Sequence, residues 1–216
     1  KLLYDQNNVI ENLTSVFYNQ LIRKNINSDW DEISILDFPA LSLIKPGIEE
    51  FIGDKTYLAT ADIQGREIVN RNNKITYKKR PSRANMQPIK NSIWFAKMKD
   101  SPKFLLIDNS TKSIVENYIL STGYYGFKIE KGLYFIWKFI NSNDFSNQKN
   151  SNISGSVMEA LNNEGLKGIL LNVPPDELIE EFEQKVKPYY EKISNNNIQI
   201  QSLNKMINSL LPKLMS

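Results

Sequence analysis

The chain has 216 residues, 41% of them apolar, with 27 Lys/Arg against 24 Asp/Glu and a formal net charge of +3. That is enough for one medium domain with a real core plus an appended element. Cysteine and histidine are both absent, which excludes disulfides and thiolate or imidazole metal sites and removes the usual general base; no metal and no cofactor is expected.

In chain order, residues 5–24 form an amphipathic helix, with Val9, Leu13 and Val16 joined by Ile10, Phe17 and Leu21 on a broad apolar face. Residues 25–31 are a polar break. From residue 33 to 173 short apolar runs alternate with turn clusters, the pattern of a mixed, strand-rich α/β domain. Strands are expected over residues 56–61, 74–78, 92–98, 104–107, 126–129 and 166–171, with 114–120 open to strand or helix. Residues 133–141 and 156–162 are expected as helices and 141–154 as loop. The apolar run 133–140, interrupted by Lys138, is far too short to cross a bilayer. No secretory signal opens the chain, which starts at Lys1 rather than Met; a missing or processed natural start and a bacterial cytoplasm are the expectations.

After Pro174-Pro175 the pattern changes. Ile179, Phe182, Val186, Tyr189, Ile193, Asn196, Ile200, Leu203, Ile207, Leu210 and Leu214 alternate spacings of three and four. That alternation places all of them on one helical seam, the signature of a coiled coil. Such a seam needs a partner helix, so Ile193, Ile200, Leu203, Ile207, Leu210 and Leu214 are expected to form an interface. Pro188 falls inside the pattern, where it removes a backbone hydrogen bond, so a kink or break is expected there. Asn196 is the one polar seam residue, able to fix register at some cost in stability.

Charge is unevenly spread. Residues 66–103 hold eleven Lys/Arg and two acids, leaving 16 bases against 22 acids elsewhere. A basic segment on an acidic chain is the footprint of a polyanion partner. Its densest part runs from Tyr77 to Pro88 and contains Lys78, Lys79, Arg80, Ser82, Arg83, Asn85 and Gln87. Cations grip phosphates, while Arg can pair with guanine and Asn or Gln with adenine, so Asn85, Gln87 and Arg83 are the candidate base readers. Lys97 extends the basic surface, and Tyr124, after a Ser-Thr-Gly turn, is a candidate stacking residue.

Catalytic motifs do not survive inspection. Asn172-Val173-Pro174-Pro175 resembles a methyltransferase loop but lacks its aromatic and any glycine-rich cofactor turn. Pro175-Asp176 with Glu183-Gln184-Lys185 would set carboxylates along one helix rather than around a cation. Ser154-Gly155-Ser156 has no histidine to activate a serine. No catalytic residue is expected.

Several segments carry a resemblance. Tyr57–Ile63, Pro81-Ser82-Arg83-Ala84-Asn85 followed by Ile93–Met98, Ser121-Thr122-Gly123-Tyr124, and the stretch from Gly155-Ser156 through Pro174-Pro175 into the long helix resemble the specificity subunits of type I restriction–modification systems. The similarity spans most of residues 28–216. It implies three parts: 1–27 as the end of a conserved helical region, 28–173 as a target recognition domain, and 174–216 as a conserved dimerisation and spacer helix. It also implies a non-catalytic chain that binds one half of a split site on double-stranded DNA, with Gly155 and Ser156 on a second DNA-contacting loop. The implied partners are a modification (methyltransferase) subunit, a restriction subunit, and a second specificity half or second copy joined through the coiled coil. Full subunits of that family alternate two recognition domains with two long helices, so this chain is expected to be half of one, or a half-size version. Residues 189–214 as helix would measure roughly 39 Å, near the ~34–36 Å turn of B-DNA, a length suited to spacing two half-sites. The competing reading is a coiled-coil adaptor whose basic loop binds RNA or an acidic protein.

Overall fold

A computed structural model describes residues 1–26, 30–108, 111–153 and 159–214, without the side chains of residues 205, 208 and 212–214. The chain divides into two compact units, one made of Lys1–Ile26 with Asp176–Ser216, the other of Asn27–Pro175.

The first unit is a helical pair. Its opening helix α1 spans Leu2–Leu21. It runs antiparallel to the long closing helix, Asp176–Leu214, which is α6 once the intervening elements are counted. Contacts at both ends fix the direction: Tyr18 meets Phe182 edge-on at 5.6 Å, and Asn7 Nδ2 donates to Asn197 Oδ1 at 2.9 Å. The buried seam of α6 comprises Ile179, Phe182, Val186, Tyr190, Asn196 and Ile200. Pro188 does not break the helix, which is assigned continuously through it. One lost backbone bond is outweighed where the flanking Val186 and Tyr190 are both anchored in the interface. The expected broad face of α1 is only partly used: Ile10 is buried, whereas Val9 is 66% exposed.

The second unit begins with β1 (Asp31–Ser34), β2 (Leu41–Leu43), β3 (Lys55–Leu58), β4 (Ile63–Gln64), β5 (Glu67–Ile68), β6 (Lys74–Ile75), β7 (Ala84–Met86), β8 (Ser92–Ala96) and β9 (Phe104–Ile107). It continues with α2 (Lys112–Asn117), β10 (Tyr118–Ser121), β11 (Tyr124–Ile129), α3 (Leu133–Ile140), α4 (Asn143–Ser151), α5 (Asn163–Lys167) and β12 (Leu170–Val173). One four-stranded sheet has the order β2-β11-β8-β9, antiparallel throughout. A second has the order β6-β3-β10-β7, in which β10 and β3 are parallel. β1 pairs with β12, and β4 with β5 forms a small hairpin.

β8 is buried at every position, which explains its continuous apolar run. On one face Trp94 and Ala96 join Leu58, Ile63, Met86, Leu105, Ile107, Leu120 and Tyr124 in the core. Elsewhere the Phe95 ring lies tilted against Phe127 at 5.4 Å and edge-on to Phe145 at 5.1 Å. Gly126 pairs with Trp94 across the strands, and a side chain there would overlap the indole.

Three expectations are corrected. The stretch expected as loop over residues 141–154 is helical at Asn143–Ser151: Ser142 caps α4 by accepting from the Phe145 amide at 3.1 Å, and the buried Phe145 anchors it. Residues 166–171 do not form one strand, because Asn162 caps the short α5 before β12 starts at Leu170. The helix expected over 156–162 is absent at 159–162, where Ala160 bridges Met98; residues 154–158 lie outside the described residues. Two other strands are shorter than expected: 74–78 pairs only at Lys74–Ile75, and 56–61 turns into a 3-10 segment at Thr60–Asp62. The ambiguous stretch 114–120 is both, helix to Asn117 and strand from Tyr118.

Candidate nucleic-acid interface

The basic segment separates into cations bound to the unit's own structure and cations left at its surface. Lys74 Nζ donates to Thr56 Oγ1 at 2.8 Å, Lys103 Nζ to the Thr60 carbonyl at 2.6 Å, and an Arg71 nitrogen to the Ile68 carbonyl at 2.6 Å. Lys99 pairs with Glu159 at 3.6 Å. Lys97 lies over the Tyr125 ring at 4.3 Å, and partial burial lowers its pKa. These five hold strands and turns in place.

The loop between β6 and β7 differs. Lys78, Lys79, Ser82 and Arg83 are exposed, and no side-chain hydrogen bond or ion pair engages Lys78, Lys79 or Arg83 among the described residues. The loop is shaped from its backbone: Lys79 N donates to Thr76 Oγ1 at 3.1 Å, and the Arg83 carbonyl accepts from Asn85 N and Thr122 N, both at 2.9 Å. Arg80 is half-buried, its guanidinium 4.4 Å from the centre of the Tyr77 ring. Asn85 lies within β7 and is half-buried, its carbonyl accepting from Gly47 N at 2.8 Å. Gln87 follows it, with a buried side-chain oxygen that has no partner.

Tyr124 does not form part of this surface. It is fully buried, and its hydroxyl donates to the Ala59 carbonyl at 3.3 Å. Burial, with the neighbouring Asp62 and Tyr57 adding to it, pushes its pKa well up. Neither face of its ring is available for stacking, because the strand it opens is buried on both sides at that point. Gly155 and Ser156 lie outside the described residues.

Two organising residues carry no signal in the sequence. Asp62 accepts from Ala59 N at 2.8 Å, Asn70 Nδ2 at 2.7 Å and Asn73 Nδ2 at 3.0 Å, tying together the turns that lead into β6. Lys149 of α4 is 4% exposed. Its amine donates to the carbonyls of Met98 (2.9 Å), Ser101 (3.3 Å) and Ala96 (3.4 Å). Beside it Asn150 Nδ2 donates to Asp100 Oδ1 at 2.7 Å, holding Asp100 at φ +48°, a conformation Asp tolerates better than most residues. Burial lowers the Lys149 pKa to about 8, with Asp100 opposing the shift. Among the described residues no group of three or more acids could hold a metal ion, and no helix is long and apolar enough to cross a membrane.

On the helical unit, Ile200 of the expected interface is buried and Ile193 half-buried. Leu203, Ile207 and Leu210 are 51%, 51% and 53% exposed. The Leu214 side chain lies outside the described residues.

A solved chain of a type I R-M system superposes on 87% of this chain with a TM-score of 0.57 and 18% identity. The HsdS subunit from Thermoanaerobacter tengcongensis superposes on 88% with a TM-score of 0.55 and 19% identity. The chain has the fold of a type I HsdS subunit. It covers 48% of each of those solved chains, about half their length. In sequence, 62 residues are 34% identical to the type I restriction enzyme MjaIX specificity subunit of Methanocaldococcus jannaschii, 29% of this chain and 14% of that protein. No protein-family profile matches the chain.

Proposed function

We propose that the chain is a DNA-specificity component of a type I restriction–modification system. Its strand-rich unit, residues 28–173, reads one half of a bipartite duplex target. The helical parts, 1–27 and 174–216, join it to a second specificity half or a second copy, and to the modification and restriction subunits that carry out the chemistry. The observation that carries this reading is the HsdS fold bearing a loop whose exposed Lys78, Lys79 and Arg83 have no internal partner. Phosphate contacts from those cations position the unit, and base contacts give it selectivity. The exposed Leu203, Ile207 and Leu210 supply the apolar surface for assembly.

Titration of duplex DNA and single-stranded RNA at two salt concentrations tests the proposal. Duplex should bind more tightly than RNA, with affinity falling steeply as salt rises. Preference for RNA would favour the adaptor reading instead.

A further inference from the structure

The loop between β6 and β7 contains a built arrangement within its exposed charge. Phe51 meets the Tyr77 ring edge-on, with centroids 5.9 Å apart and planes at 86°. Lys55 Nζ lies 5.1 Å from the centre of Phe51. Tyr77 in turn carries Arg80, whose guanidinium carbon is 4.4 Å from the ring centre. Arg80 Nη1 also donates to the Tyr77 carbonyl. The guanidinium is therefore held over the ring and by a hydrogen bond from Nη1. No ion pair engages it among the described residues, so its other N–H groups remain available.

Phosphate binding does not need such a shelf, because a flexible lysine serves as a point charge. A fixed guanidinium plane suits bidentate pairing to the O6 and N7 of guanine, where orientation sets selectivity. The two amides in the same segment are less well placed. Asn85 is within a paired strand, and Gln87 turns its carbonyl oxygen inward.

We infer that Arg80, shelved on Tyr77, is the base-reading group of this loop and recognises guanine, while Lys78, Lys79 and Arg83 grip phosphate. The inference rests on the chain being a duplex-DNA reader. Tyr77 is a positioning residue and acts through Arg80.

Selection of the full chain on a randomised duplex library tests it. The wild type should enrich a motif containing a preferred G·C pair. Arg80→Lys keeps the charge and should flatten that one position by roughly tenfold or more, leaving random-duplex affinity within about twofold and the salt slope unchanged. Tyr77→Leu should flatten the same position, and Tyr77→Phe, which keeps the ring, should restore it. A full motif from both Arg80→Lys and Tyr77→Leu would overturn the assignment. So would a motif lost on Asn85→Ala or Gln87→Ala but kept by Arg80→Lys, which would move readout to the amides. A wild-type chain that enriches no motif would overturn the DNA-reading proposal along with it, so the two failures are distinguishable.

Discussion

A lysine amine set against three carbonyls and almost no water is charged at a cost, and Lys149 carries that cost with its pKa near 8 against an ordinary 10.5. Burial is the larger cause, and the Asp100 carboxylate opposes it. The folded chain sheds this proton first. Between about pH 8 and 10.5 the unfolded chain binds more protons at this position, so the group's contribution to stability rises with pH across that window. In urea unfolding, Lys149→Met should be less stable than wild type by about 1–3 kcal/mol at pH 7, because buried carbonyls lose their donor. The gap should widen from pH 8 to 10. A gap that is flat with pH would mean that burial does not oppose the amine's charge. A second residue-scale expectation concerns Gly126. A methyl group there overlaps the Trp94 ring, so Gly126→Ala should cost about 1–3 kcal/mol, as overpacked cores do; wild-type stability for the variant would show that β8 and β11 can separate freely.

Among the elements, the long helix shows what a sequence makes legible and what it hides. A three-four spacing kept over 36 residues has one physical reading, and α6 is where it should be. Near its middle Tyr190, not Tyr189, is the more buried of the pair, because a straight helix drifts off a seven-residue repeat. The strands β8, β9 and β11 were legible as short apolar runs between turns. α4 was not, since Phe145 and the aliphatic stem of Lys149 are its only buried side chains and its remaining polar residues show no period. In the candidate site, the loop and its charge were legible, but the burial of Tyr124 was not: an aromatic beside a turn looks the same whether it faces the core or solvent. The Tyr77–Arg80 pair, three residues apart, was visible as residues, but the packing of the Tyr77 ring against Phe51 from a distant turn was not. The Asn196 side chain is fully buried, donating to Gln6 Oε1 at 2.9 Å and Asn7 Oδ1 at 2.8 Å while its own oxygen has no partner. Asn196→Leu should raise the melting temperature of the helical pair, since it removes an orphaned oxygen and lets two surface amides return to water. A fall in melting temperature would show that the amide cluster holds the pair together. Leu203→Asp with Leu210→Asp should leave unfolding nearly unchanged, as both positions are about half exposed. The same double variant should lose assembly when its mass in solution is compared with wild type in the presence of partner subunits.

At the scale of the whole molecule, the account is a division of labour. One unit carries a cationic loop on a strand-rich core, the other a helical pair whose closing helix extends about 58 Å, and the proposed function assigns the reaction chemistry to other chains. The most direct measurement is methyl transfer from S-adenosylmethionine to DNA by the partner modification subunit, with and without this chain, mapped along the DNA. The account predicts no transfer by this chain alone, and transfer at discrete sites when both are present. Transfer by this chain alone, or a site pattern from the modification subunit that is unchanged by adding it, would contradict the account.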